Sequence, residues 1–122
     1  MTMYPPTLSL NETLAQFRDK VNADSRLQSI LRDWDPVIAV EVLDTGWKRY
    51  LLVRDCRIDD IRSDCTVDSH DVHLLASEEV LTSVFDGRLN PTEAFLDGEL
   101  QIFASDKDQV KLDAISLMLW GA

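Results

Sequence analysis

Cysteine is almost missing from this chain: Cys56 and Cys65 are the only two in 122 residues. Two are too few for the disulfide framework of a small secreted domain. They lack Cys-x-x-Cys spacing, and no helix start follows either one to lower its pKa, so they read as structural thiols rather than a redox couple. Basic residues are scarce as well. Twelve Lys and Arg stand against 22 Asp and Glu, a formal charge of −10. A surface of that sign repels phosphate backbones and anionic headgroups, which argues against nucleic acid and against stable membrane insertion or docking. No apolar run approaches the roughly 20 residues needed to cross a bilayer. Met1-Thr2-Met3-Tyr4-Pro5-Pro6 lacks the basic start and apolar core of a secretion signal. The terminal Leu-Trp-Gly-Ala carries no Ser-Lys-Leu-type address, so the expected compartment is the cytoplasm.

Signatures of catalysis are missing too. No serine sits in a Gly-x-Ser-x-Gly elbow and no glycine-rich phosphate loop occurs. The acidic pairs Asp59-Asp60 and Glu78-Glu79 read as solvated faces, the second favoured by the dipole of a helix start. His70 and His73 lie three apart; in an extended segment they point to opposite sheet faces and need a third ligand from elsewhere, so they read as surface strand histidines. No enzyme, metal or cofactor is expected.

What is present is regular structure with clear punctuation. Ser9 with Glu12 resembles a capping box opening a first helix, in which Leu10, Leu14, Phe17 and Val21 recur at helical spacing. Asn22 to Asp24 interrupts it. Ser25 with Gln28 restarts a segment carrying Leu27, Ile30, Leu31 and Trp34, and Pro36 ends the helical region. This amphipathic block suits either a cover over one sheet face or a lid at a ligand entrance. Val37–Leu43 and Trp47–Val53 form a hairpin about Asp44-Thr45-Gly46. Cys56–Arg62 is a more polar third strand, expected at an edge, and Asp59 and Asp60 are expected to narrow its apolar surface. After a polar loop over Ser63–Ser69 come a strand at Val72–Ala76 and a helix from the cap Ser77 to about Phe85. A strand at Glu99–Ala104 and a helix opened by Ser105 with Asp108 complete the chain. Early strands and segregated helices indicate the α+β class.

Gly87-Arg88-Leu89-Asn90-Pro91-Thr92-Glu93-Ala94-Phe95-Leu96-Asp97-Gly98-Glu99-Leu100 is the most distinctive segment. Asn90 suits an N-cap, Pro91 the first helical position, and Glu93 a reach back to the cap amide. Gly98 suits the left-handed stop. Together with Asp71-Val72-His73-Leu74-Leu75, Ser77-Glu78-Glu79-Val80-Leu81 and Leu112–Leu119, this segment resembles the sterol carrier protein type-two domain. The match is close from about Asp71 to Trp120, looser over the two strands before it, and limited to helices in the expected place earlier still. The resemblance implies a single domain over 1–122, with N-terminal helices at about 9–34 and strands and helices over 37–120. It implies a five-stranded mixed sheet covered by helices around an apolar tunnel for lipids.

Apolar side chains are therefore the functional candidates. Val80, Leu81, Val84, Phe85, Phe95, Leu96, Leu100, Ile102, Leu112, Ile115 and Leu119 are expected to line the tunnel. Ala104 and Met118 stand beside them. From periodicity alone such a set describes a filled core; only the resemblance implies a hollow. The expected function is non-catalytic binding and transfer of a fatty acid, acyl chain, sterol or related small hydrophobic ligand. The alternative is an accessory or dimerisation module, forming a homodimer or serving a partner enzyme, with Trp34, Met118 and Trp120 as exposed contacts.

Overall fold

A computed structural model describes residues 6–63 and 70–121. In chain order the elements are α1 (Pro6–Ala23), α2 (Ser25–Leu31), β1 (Val37–Val42), β2 (Lys48–Arg54), β3 (Arg57–Arg62), β4 (Val72–Ala76), α3 (Glu78–Phe85), α4 (Pro91–Leu96), β5 (Leu100–Ala104) and α5 (Asp106–Trp120). Cys65 and most of the polar loop lie outside the described residues. The strands form one sheet in the order β3-β2-β1-β4-β5. β1 and β4 run parallel, Ile38 opposite Val72, and the other neighbours are antiparallel. The sheet is thus mixed and five-stranded, with the polar β3 at an edge as expected.

One face of the sheet meets the helices. Ile38, Val40, Val42, Val72, Ala76 and Leu100 share a core with Leu14, Leu31, Leu81 and Ala94. Ala39 and Leu52 are also buried but stand outside that core, on the opposite face. Turn chemistry sets the strand register. Gly46, at φ +75°, donates to Val42 O across the first hairpin. Asp55 and Cys56 are both left-handed between the paired Arg54 and Arg57. A two-residue turn of that hand matches the right-handed twist of its strands.

The helix boundaries correct several expectations. α1 begins at Pro6, so Ser9 lies within it rather than capping it; proline's fixed φ suits a first turn. Asn22 does not interrupt the helix but belongs to its last turn. Its amide donates to Ile58 O at 3.0 Å and its Oδ1 accepts from Ile58 N at 2.8 Å. The pair satisfies edge-strand backbone that would otherwise be open for association. Asp24, not Ser25, caps α2 by accepting from Arg26 N. The hydrogen bond from the Arg26 side chain also holds the Asp24 carboxyl below its usual range. α2 ends at Leu31, followed by left-handed Asp33 (φ 59°), well before Pro36.

Gly98 closes a helix end as expected, and Gly87 closes another in addition. Gly98 (φ +79°) donates to Phe95 O, and Glu99 N to Ala94 O. Gly87 (φ +92°) donates to Val84 O, and Arg88 N to Ser83 O. This paired pattern satisfies carbonyls that a helix end leaves open. At the other end of α4, Asn90 Oδ1 accepts from Thr92 N at 2.8 Å. Glu93 is exposed and makes no bond back to Asn90 among the described residues. Ser77 and Ser105 cap α3 and α5.

Candidate functional site

Between the inner sheet face and the helices lies a cavity of about 430 Å³. This is within the roughly 300–1,000 Å³ typical of small-molecule sites. Its floor is the alternating apolar set of the sheet: Ile38, Leu51, Val53, Ile58, Leu74, Leu100 and Ile102. Successive strand residues face opposite sides, so neighbouring strands in register supply one continuous surface.

Ile58 reaches that floor through a bulge. Leu52 pairs with Asp60 and Val53 with Ile58, leaving Asp59 as an extra residue in β3. The shift turns both Ile58 and Ile61 toward the core, although they are three apart. Asp59 is exposed, and Asp60 pairs with Arg62 at 2.9 Å opposite outward-facing Leu52. The two acids therefore do not narrow the inner surface, contrary to the expectation from their position.

Pinned aromatic rings form the walls. Phe17 meets Phe85 edge-on at 4.9 Å and stacks on Trp120 at 5.9 Å. Trp120 Nε1 donates to Val84 O at 3.0 Å. Trp34 Nε1 donates to Asp108 Oδ1 at 2.7 Å, and Lys111 Nζ donates to Ile30 O at 2.7 Å, tying α2 and the segment after it to α5. An indole fixed by its N–H is not free to swing into the space beside it. Trp34 is buried and Met118 and Trp120 are half-buried, so these three are not the exposed contacts the interaction reading assumed.

Nine of the eleven expected lining residues stand around this space: Leu81, Val84 and Phe85 from α3, Phe95 and Leu96 from α4, Leu100 and Ile102 from β5, and Leu112 and Ile115 from α5. Val80 and Leu119 do not line it; both are partly buried against the core. Val80 is a helical step of about 100° from Leu81, and in the last turn of α5 Trp120 takes the lining position. Unanticipated are the N-terminal residues Phe17, Val21, Leu27, Leu31 and Trp34, and the polar Thr92, Gln109, Asp113 and Ser116. The first group was legible as an apolar stripe, but not which sheet face it would meet. The signal for the second is the spacing 109, 113, 116 on a helix that also carries Leu112 and Ile115.

Elsewhere, His70 and His73 lie on the same side, ring centroids 5.1 Å apart, because regular strand begins only at Val72. His73 Nε2 lies 2.8 Å from Glu41 Oε1. No group of three or more His, Cys, Asp or Glu placed to hold a metal occurs among the described residues. Among them, too, no helix is long and apolar enough to cross a membrane.

The profile of the SCP-2 sterol transfer family matches residues 10–103. No curated protein matches the chain. Among solved structures, the sterol carrier protein domain 2 of Helicoverpa armigera is similar, with a TM-score of 0.73 at 16% identity over 100% of this chain and 96% of that one. A UbiJ-SCP2 ubiquinone synthesis protein gives 0.69 at 17% identity, over 93% and 96%. Palmitated SCP2L2 from Aedes aegypti gives 0.61 at 13% identity, over 85% and 90%.

Proposed function

Since the chain belongs to the SCP-2 sterol transfer family, whose domains in general bind and carry lipids, we propose that it holds a fatty acyl chain, sterol or similar lipid in the cavity. The lipid is released without any covalent step. The observation that carries this reading is the size and lining of the cavity. A dry void of about 430 Å³ would cost about 10 kcal/mol at the rate seen for engineered cavities. That is comparable with a whole domain's stability of about 5–15 kcal/mol. Water entering an apolar space finds few partners, whereas each buried methylene contributes about 0.8 kcal/mol. Set against an association cost of about 4–15 kcal/mol, a dozen methylenes yield the modest affinity that suits carriage. The palmitated mosquito relative, of the same fold, lends support.

Organic extraction of the purified chain followed by mass spectrometry should recover co-purified lipid. Trp34 and Trp120 line the cavity and Trp47 does not, so brominated hexadecane should quench part of the tryptophan emission and leave the rest. An empty extract together with unquenched emission would remove the reading. Likeness to the ubiquinone synthesis protein favours a second one, an accessory module for a partner enzyme. A stable complex formed equally well with the cavity blocked would select it.

A further inference from the structure

The polar atoms of the cavity are few and gathered in one place. Gln109, Asp113 and Ser116 follow one another at i, i+4 and i+7 on α5, and Thr92 lines the cavity from α4. Thr92 Oγ1 and Ser116 Oγ lie 3.4 Å apart, and Gln109 Nε2 donates to Asp113 Oδ1 at 3.0 Å. Thr92 and Asp113 are exposed, as are the lining residues Phe95 and Leu96. The mouth therefore opens between α4 and α5. Among the described residues lining the cavity, Asp113 is the one that is ionisable, and no Lys, Arg or His is among them. Exposed Glu93 on α4 and Asp97 at its C-cap add charge of the same sign.

The mouth offers both donors and acceptors: one hydroxyl hydrogen is left over from the Thr92–Ser116 pair, and the only fixed charge among the described lining residues is the Asp113 carboxylate. Gln109 uses one amide hydrogen on Asp113, and Asp113 Oδ2 has no partner among the described residues. A carboxylate or phosphate headgroup can only accept, so it could use those few donors but never Asp113, whose like charge it would have to approach with no lining cation among the described residues to offset it. A hydroxyl can donate. Resting on the lipid-binding reading, we infer that this cavity selects a long-chain alcohol, its hydroxyl donating to Asp113, over the carboxylate of the same chain length.

Displacement of brominated hexadecane, read by recovery of tryptophan emission, separates the possibilities. At pH 8 the native chain should respond to 1-hexadecanol at about a tenfold lower concentration than to palmitate. Asp113→Lys should reverse the order. Asp113→Asn, nearly equal in volume at an exposed position, should shrink the preference, so the test does not depend on the lysine variant folding. Palmitate displacing as well as the alcohol, or a preference unchanged by Asp113→Asn, overturns the inference while leaving lipid binding intact. Failure of brominated hexadecane to quench at all, together with an empty organic extract, removes the lipid-binding reading itself.

Discussion

Gly98 shows how one residue's backbone ends the helix that carries Phe95 and Leu96 to the cavity. Its φ of +79° belongs to the left-handed region, and an added Cβ would meet nothing within 4 Å. Gly98→Ala therefore isolates the backbone penalty, and urea unfolding should show a loss of about 1–2 kcal/mol with an unchanged m-value. Glu78 presents the opposite case, a side chain in the wrong dielectric. Its Oε2 is buried without a partner among the described residues, and desolvation, with the nearby Asp44 charge, pushes its pKa up. A raised carboxyl pKa means that the folded state binds its proton first, so stability is lost as pH rises through the window between the unfolded and folded values. Glu78→Gln should raise the denaturation midpoint at pH 7, with a gain that fades on acidification into the ordinary glutamate range. A midpoint that falls at pH 7 would show that the helix-dipole benefit at this first-turn position prevails.

At the scale of elements, the segments around the cavity are tied together by hydrogen bonds as well as by apolar contact. The Trp34–Asp108 bond joins the segment after α2 to α5 across 74 residues of sequence. Trp34→Phe keeps much of the apolar ring and deletes the donor to a carboxylate. It should cost about 1.5 kcal/mol in chemical denaturation, with faster hydrogen exchange in α2 than in α3. The Asn22 clamp on Ile58 does comparable work between α1 and the edge of the sheet. Asn22 reads in sequence as a helix breaker because short polar side chains compete with the helix backbone. Its partner lies 36 residues away, so no local pattern reveals that its hydrogen bonds are spent across the fold.

For the whole molecule, the decisive quantity is unfilled volume. Ile102→Trp projects a large ring from β5 into the cavity. In a filled core such overpacking costs about 1–3 kcal/mol; here stability should change by less than about 1 kcal/mol while uptake of brominated hexadecane falls about tenfold. A large loss of stability with uptake retained would mean that the space is not available to a ligand. The net charge of −10 belongs to this scale too. Its local expression is the acidic mouth, where one carboxylate stands among otherwise neutral lining residues.

Residues close in sequence determined the elements and their ends. Asn90-Pro91 starts α4, Gly98 stops it, Ser77 and Ser105 cap their helices, and Leu100 and Ile102 alternate with Gln101 and Phe103. Each rests on chemistry acting within a turn or two of the chain, which is why the α+β order and most candidate apolar residues were legible without coordinates. The hollow, the bulge at Asp59 and the polar mouth were decided by the tertiary structure alone. A hydrophobic pattern states which side chains leave water but not whether they meet, and a void is a property of surfaces brought together from distant parts of the chain.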